Sequence, residues 1–291
     1  MLDIFFGDAL FERYTLPLDD WINDSVTSLA SNYRPFFQAL RQPVDVILDA
    51  SNALLLNTPP LVFLILLFIV AWRAQSWRLG VFCVVAMTFI GFLGLWEDTM
   101  ITLAMVLSAV IVCIILGVPL GILASRSDRF SKFLRPVLDV MQTTPSFVYL
   151  VPVVMLFSIG TVPGIIATVI FALPPLVRLT NLGIRQVQSD VLEAATAFGA
   201  TSNQTLFKVQ IPLALPTIMA GLNQTIMLSL SMVVIAALIG AAGLGQPVVE
   251  GLNALRVGLA GIGGIAIVLL AMVLDRITQA LGRPKRSTQN S

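Results

Sequence analysis

The sequence predicts an all-α integral membrane protein with about seven membrane-spanning helices. Of its 291 residues, 57% are hydrophobic and only 11% are charged, whereas soluble domains carry about 25% charged residues. The apolar residues are gathered into long runs, and a helix needs about 20 of them to cross the hydrocarbon of a bilayer. The chain therefore uses lipid as part of its solvent.

Residues 1–58 are expected to form an external N-terminal tail that contains one amphipathic helix. Pro43 suits the first turn of a helix, and the residues that follow it share one face at helical spacing. That face comprises Val44, Ile47, Leu48, Ser51, Leu54 and Leu55. The helix lies either in the membrane interface or on the protein's own outer surface. The opposite face is acidic and lacks the Lys and Arg that anionic lipid favours, so both interpretations stay open.

Seven apolar runs form the expected membrane domain, residues 59–281. They are 59–76, 79–95, 99–124, 143–161, 163–180, 216–240 and 257–280. The fourth and fifth runs are separated by a turn at Gly160–Gly164. A second glycine-rich segment, Gly240–Gly245, is expected to form a turn after the sixth run, and residues 282–291 a cytoplasmic tail.

The basic residues are concentrated in alternate loops, which predicts the orientation of the chain. They are Arg73, Arg78, Arg126, Arg129, Lys132, Arg135, Arg178, Arg185, Lys208, Arg283, Lys285 and Arg286. The other loops carry only Arg256. Because Lys and Arg favour cytoplasmic loops, an odd number of spans places the N-terminus outside and the C-terminus inside.

The composition argues against several functional classes. There is no histidine, and Cys83 and Cys113 lie in separate apolar runs, where buried thiols are expected. No GxxxxGK[ST] segment is present to cradle a phosphate, so neither a catalytic centre, a metal site nor a cofactor is expected in this chain. A net charge of +1 gives no reason to expect a nucleic-acid partner.

The predicted spans are also poor in charge, which bears on how transport would be driven. No Asp, Glu, Lys or Arg occurs in residues 99–125, 142–177 or 211–249. Ion-coupled transporters often use ionisable residues inside the membrane, so this class is weakened. It stays as an alternative, because backbone carbonyls can also bind Na⁺.

A polar island at Asp190–Pro216 interrupts the apolar runs. Asp190 is placed to cap a short helix, with Glu193 three residues later as in a capping box. Gly199 suits the left-handed residue that ends a helix. A narrow apolar face of that helix comprises Val191, Ala194, Ala195 and Phe198. A second short helix, Ser202 to about Val209, is expected to close at Pro212.

The length of this island favours a functional role. Connections between bundle helices typically have about 2–8 residues, and this one is far longer. Docking of a partner protein is the predicted role, and an amphipathic connector resting on lipid headgroups is the alternative.

The island carries a family resemblance. Glu193-Ala194-Ala195, then Gly199, then Val209–Pro212 resemble the EAA motif of ABC importer permeases, with Val209 and Ile211 in place of the commoner Ile and Leu. The resemblance covers roughly residues 99–281, the five-span core of such permeases. Residues 142–187 and 216–245 more narrowly resemble the permeases of glycine betaine/proline betaine (osmoprotectant) importers.

This resemblance implies the type I ABC importer transmembrane fold and a set of partners. The permease would form a homodimer in the bacterial inner membrane, bind two ATPase subunits that use ATP and Mg²⁺, and receive solute from an external binding protein. The residues implied to couple to the ATPase lie in a loop at 181–215. They are Asp190, Glu193, Ala194, Ala195, Phe198, Gly199 and Pro212.

The expected function is therefore that of a transport subunit rather than an enzyme. It would import glycine betaine or a related compatible solute by ATP-driven alternating access. The alternatives are a permease for choline, carnitine or another small solute, an ion-coupled secondary transporter, and a non-transporting membrane scaffold.

Small and polar residues within the spans give the remaining predictions. Gly117 and Gly121 form a small-xxx-small site where another helix can approach closely. Asn223, Met227 and Ser231 fall near one face of the sixth run and are candidate residues of a translocation path. Hydrogen bonding between helices is the alternative role for these polar residues.

Overall fold

The computed structural model describes residues 16–282, which form helices joined by short turns. In chain order the helices are α1 Leu18–Asn32, α2 Arg34–Leu56, α3 Pro60–Ala74, α4 Trp77–Phe92, α5 Trp96–Arg126, α6 Asp128–Thr143, α7 Leu150–Phe157, α8 Thr161–Arg185, α9 Ser189–Ala197, α10 Ser202–Thr205, α11 Ile211–Ala237, α12 Gly245–Asn253 and α13 Val257–Gly282. The predicted all-α fold is confirmed. Most of the predicted cytoplasmic tail, and the first fifteen residues of the N-terminal tail, lie outside the described residues.

Four of the predicted spans are helices that are long and apolar enough to cross a membrane alone. They are α5, α8, α13, and the continuous helical stretch Ser202–Ala237 that contains α11. The first two predicted spans are shorter, since α3 has 15 residues and α4 has 16. α3 reaches the required length only together with α2, from which it bends by 103°. By length and composition, residues 16–282 therefore hold four spans, or up to six if each bent pair is one span.

The run predicted as a span at 143–161 is helical only over Ser146–Phe157, which is too short to cross a membrane alone. Thr144 and Pro145 are extended, with ψ of 128° and 132°, and the helical segments on either side meet at 102°. A residue before proline avoids the α region, and proline supplies no N–H to continue the helix. The apolar composition of this run concealed the break at Pro145.

The centre of the molecule is a bundle of α5, α8 and α11. Helices α5 and α8 run parallel and touch closely, because a Cβ on Gly121 would lie only 2.5 Å from the Thr180 Cβ. This confirms the predicted small-residue site. Helix α11 runs antiparallel to α8, and the Thr225 hydroxyl donates to the carbonyl of Ala172 at 2.9 Å. The C-terminal ends of α5 and α8 thus meet the start of α11 at one end of the bundle.

The N-terminal helix α2 packs on the protein's own surface. Val44, Leu48 and Leu55 are buried in the main apolar core, and Ser108 of α5 donates to the Ser51 hydroxyl oxygen at 3.4 Å. This supports the second of the two interpretations of the amphipathic stripe. Pro43 lies inside α2 rather than at its start, because the helix begins nine residues earlier, with a proline already in its first turn.

Candidate functional site

The polar island lies at the end of the bundle where α5 and α8 terminate. The Arg126 guanidinium donates to Asn203 Oδ1 at 3.2 Å and to the carbonyl of Ser202 at 3.4 Å. Arg185 donates to the carbonyl of Ala124 at 2.8 Å and forms an ion pair with Asp128 at 2.7 Å. Arg126 thus links the end of α5 to the island, while Arg185 links the end of α8 to α5 and α6.

Helix α9 projects from the bundle with no buried residue. Phe198 is 92% exposed, Val191 is 36% exposed, and the Ala194 and Glu193 side chains are also exposed. Ala195 is half-buried. The apolar face predicted from the sequence is present, and within the described chain it is largely uncovered.

A cleft separates α9 from the start of α11. It has a volume of about 390 Å³ and is lined in part by Gln188, Val191 and Leu213. The helix is therefore attached mainly through its two ends, so a surface that approaches from this end of the bundle meets α9 first.

Gly199 ends α9 in the left-handed conformation, as predicted. Its φ is +80°, and no heavy atom lies within 4 Å of the position that a Cβ would take. The glycine is thus required by the backbone conformation rather than by lack of space. The N–H of Ala200 donates to the carbonyl of Ala195 at 3.0 Å, which satisfies one of the free carbonyls at the end of the helix.

The predicted cap at Asp190 is wrong. Helix α9 begins at Ser189, and Gln188 precedes it without a capping hydrogen bond from its side chain. Asp190 lies inside the first turn, where a carboxylate still interacts favourably with the helix dipole.

A complete capping box occurs instead at the start of α10. Thr201 Oγ1 accepts from the N–H of Gln204 at 3.4 Å, and Gln204 Oε1 accepts from the N–H of Thr201 at 2.9 Å. The sequence Thr-x-x-Gln carries this signal, and the sequence reasoning passed over it.

The expectation that the second short helix closes at Pro212 is also wrong. A π-helical turn, Leu206–Gln210, follows α10 and leads directly into α11, and the N–H of Ile211 donates to the carbonyl of Leu206. Pro212 has no N–H to donate, and its ring would crowd the carbonyl of Lys208 in a regular helix. The wider π turn accommodates the proline without breaking the chain's helical course. Leu206, 2% exposed, anchors this turn in the core.

The candidate residues of the translocation path fall into two groups. Asn223 is half-buried and joins α11 to α13, because it donates to Asp275 Oδ1 at 2.9 Å and accepts from the Thr278 hydroxyl. Met227 is 38% exposed, and the exposed Ser231 donates to the carbonyl of Met227 at 3.0 Å. Asn223 therefore has the alternative role, hydrogen bonding between helices. Met227 and Ser231 face outward from α11, and their role in a translocation path stays a prediction.

Asp275 is a polar residue of this region that sequence reasoning missed. It lies in the last apolar run, is half-buried, and also accepts from Gln279 Nε2 at 2.8 Å. A lone acid within an apolar run was the available signal. Its hydrogen bonds now place it as the link between the two last long helices.

A helical membrane bundle with a projecting helix at its basic end defines the class of protein, the membrane subunit of a transport system. Residues 117–287 match the family described as "Binding-protein-dependent transport system inner membrane component". The chain belongs to this family, and it is a multi-pass protein of the bacterial inner membrane.

Characterised relatives extend over nearly the whole chain. The chain is 53% identical to the glycine betaine/proline betaine transport system permease protein ProW of Escherichia coli (strain K12), over 96% of this chain and 79% of that protein. It is 44% identical to the glycine betaine transport system permease protein OpuAB of Bacillus subtilis (strain 168), over 95% of this chain and 98% of that protein.

A solved structure shares the fold. An inward-facing structure of the MetNI methionine ABC transporter matches with a TM-score of 0.57 and 23% identity, over 65% of this chain and 96% of that chain. The predicted type I importer fold is confirmed. Family membership also confirms a transport subunit rather than an enzyme, and a permease of such a system works with a substrate-binding protein and an ATPase.

Proposed function

We propose that this chain is the permease of an ATP-driven importer for glycine betaine or a related compatible solute. The proposal is supported by relatives that are named for glycine betaine and are 53% and 44% identical over nearly all of this chain. A relative named for both glycine betaine and carnitine, GbuB of Listeria monocytogenes serotype 1/2a (strain 10403S), is 46% identical over 94% of this chain. Four further relatives, whose names include trimethylamine N-oxide, carnitine or choline, are 35–40% identical over shorter stretches. The shared chemistry of these solutes is a small methylated nitrogen centre.

The observation that carries the coupling role is the uncovered face of α9. Phe198 is 92% exposed, and burying such a side chain contributes about 1.5–3 kcal/mol. We assign this face to an ATPase subunit, which would use ATP and Mg²⁺ while this chain holds no cofactor. A second copy of the permease would present a second α9, so that a homodimer binds two ATPases.

The connections of α9 provide a mechanical route for alternating access. Three residues, 186–188, join it to α8, and the capped α10 and π turn join it to α11. Helices α8 and α11 then pack against each other along their length, for example where Gly221 meets the backbone of Leu176. A displacement of α9 by the ATPase would move both helices as one unit.

The proposed orientation places α9 in the cytoplasm and the N-terminal helices outside. It rests on basic residues such as Arg126, Arg129 and Arg185, which lie at the α9 end of the bundle. A cysteine at Asn203 should be shielded from an impermeant thiol reagent in intact cells, whereas one at Asp24 should react. Labelling in the opposite pattern would reverse the orientation and remove the docking assignment.

The deciding experiment is reconstitution of the permease with its ATPase and its binding protein in liposomes. Uptake of glycine betaine should require ATP and the binding protein, and should persist when ionophores collapse the ion gradients. Uptake that follows a Na⁺ or proton gradient without ATP would establish the ion-coupled alternative. Parallel measurements with choline and carnitine separate the permease alternatives.

A further inference from the structure

Asp275 is the one acidic residue in the sequence of the last two long helices, α11 and α13. It is half-buried. Its Oδ1 accepts from Asn223 Nδ2 at 2.9 Å, and its Oδ2 accepts from Gln279 Nε2 at 2.9 Å. Among residues 16–282, no ion pair includes it. An ionised carboxylate only accepts hydrogen bonds, so this pattern describes a negative charge held by two neutral amides.

A cleft of about 340 Å³ lies beside this carboxylate, between α11 and α13. Small-molecule sites typically have about 300–1,000 Å³ and combine apolar walls with a few convergent polar groups. Two of the residues that line the cleft, Asn223 and Gln279, are those that donate to Asp275. The polar side chains of the lining are Asn223, Gln224, Thr278 and Gln279.

The cleft lies at the end of the bundle that carries the polar island. A Cβ on Gly282, the last residue of α13, would lie 3.0 Å from Met219 Cβ near the start of α11, and both residues line the cleft. At 1.5 Å per residue, Asp275 lies about 27 Å along α13 from Val257, within a hydrocarbon layer of about 30 Å. The acid therefore lies near one boundary of the membrane, on the island side.

The chemistry of the lining indicates that the cleft holds water. Acids inside membrane spans almost always face the bundle interior or a water-filled cavity, and Gln224 and Gln279 are exposed. Lipid tails against this cleft would leave their amide groups without partners. On α11, Gln224 also shares a helical face with Met227 and Ser231, at spacings of three and four residues.

A contact between two helices does not by itself require a carboxylate. Asp275→Asn would leave an oxygen that accepts the same hydrogen bond from Asn223, without the cost of removing a charge from water. A negative charge does attract a cation. A quaternary ammonium group has no N–H to donate, so a carboxylate whose oxygens already accept from amides still attracts it through its charge.

We propose that this cleft is a weak binding site for the methylated ammonium group of the transported solute, with Asp275 as the source of negative charge. The solute occupies the cleft at the island end of its passage and then leaves. Weak attraction suits transit, because conduction requires a site that a ligand both enters and leaves. The identity of the solute rests on the proposed function, whereas the cation site does not.

The test measures protection of a cysteine in the purified permease–ATPase complex in nanodiscs. Both native cysteines are buried and are replaced by alanine, and Gln224→Cys places a thiol on the wall of the cleft. The reagent is N-ethylmaleimide, which is uncharged and therefore not attracted or repelled by Asp275. Glycine betaine and tetramethylammonium at millimolar concentrations should slow the reaction at least about threefold. Potassium chloride at equal concentration should not.

Three variants separate the charge from the helix contact. Asp275→Asn should raise the concentration needed for half-protection about tenfold, and Asp275→Glu should restore most of the protection. Thr278→Val is the matched control, because it removes the hydroxyl that donates to Asn223 but leaves the charge, and it should be protected as the wild type is. tert-Butylacetate, in which carbon replaces the ammonium nitrogen of glycine betaine, should protect none of them.

Three results would overturn the proposal. The first is failure of Gln224→Cys to react with the reagent, which would show that the cleft holds no water. The second is equal protection by potassium ions or by tert-butylacetate, which would remove the preference for a methylated ammonium group. The third is an equal loss of protection in Asp275→Asn and Thr278→Val, which would leave the cluster as a helix contact alone.

Uptake by the complete system with ATPase and binding protein separates this proposal from the proposed function. Asp275→Asn should lower the maximal rate of glycine betaine uptake about two- to fivefold, and an unchanged rate would remove the site from the path of the solute. If wild-type protein carries no methylated ammonium solute but protection by tetramethylammonium depends on Asp275, the proposed function fails and the cation site stands. If wild-type protein transports glycine betaine but protection does not depend on Asp275, only the cation site fails.

Discussion

Helices α8 and α9 are neighbours in the chain, yet α8 buries most of its apolar side chains and α9 buries none. In α8, 72% of the most apolar window is buried, and its glycines and prolines fit against α5 and α11. In α9 no residue is buried, although the chain between the two helices is only three residues long. The contrast separates a helix whose position is fixed by its own chain from one whose apolar face the described chain leaves uncovered.

The largest effect on stability is expected from a substitution in the contact between α5 and α8. Gly121→Ala would place a Cβ 2.5 Å from Thr180 Cβ and 2.9 Å from the carbonyl oxygen of Val177. Such overpacking costs about 1–3 kcal/mol, so the thermal midpoint in detergent should fall by roughly 2–12 °C. Gly91→Ala is the matched control, because its Cβ would meet only Trp96 at an ordinary 3.5 Å. Equal midpoints for the two variants would contradict the tight contact.

The next effect is expected at the end of α9. Gly199→Val forces a β-branched residue into φ of +80°, a conformation that such residues avoid. The variant should insert and keep the thermal midpoint of the wild type, but lose most ATP-driven uptake because α9 is misdirected. Gly199→Asn is the control, since asparagine tolerates this conformation. Normal uptake by the valine variant would show that the direction of α9 does not matter.

A smaller effect is expected from the exposed ring of α9. Phe198→Ala should weaken binding of the ATPase roughly ten- to a hundredfold, which corresponds to the burial of one aromatic side chain. Stability of the permease alone should not change, because Phe198 is 92% exposed there. Phe92→Ala is the control, since Phe92 is 87% exposed on α4, away from the docking face. Unchanged ATPase binding by Phe198→Ala would contradict the assignment of this α9 face to an ATPase subunit.

The smallest effect is expected at the contact between the bundle and the island. Arg126→Ala removes the exposed hydrogen bonds to Asn203 and to the carbonyl of Ser202. Exposed charged contacts contribute about 0.2–1 kcal/mol, so uptake should fall no more than about fivefold. Arg129→Ala removes a neighbouring charge as a control and should have less effect. A complete loss of uptake in Arg126→Ala alone would make this contact part of the coupling device itself.

The sequence predicts those features that depend on local chemistry. Gly199 at the end of a short apolar face indicates a left-handed residue, and the spacing of Gly117 and Gly121 indicates a close helix contact. Both predictions are confirmed, because each depends on the residue type and its immediate neighbours.

The features that the sequence analysis missed depend on competition between neighbouring signals or on distant partners. Pro145 lies in an apolar run, and hydrophobicity concealed the break that its backbone requires. Asp190 and Thr201 are both suitable caps, and only Thr201 forms one. The partnership of Asp275 with Asn223 joins residues 52 positions apart, so spacing in the chain could not reveal it.

The uninterrupted course through Leu206–Gln210 makes Ser202–Ala237 a single rod of 36 residues. At 1.5 Å per residue the rod is about 54 Å long, against a hydrocarbon thickness of about 30 Å. A substantial part of it therefore extends beyond the lipid. Under the proposed docking of an ATPase on α9, a push on that part would tilt the whole helix about a pivot near the headgroups. A stroke of a few ångströms at one end would then displace the other end by a similar distance.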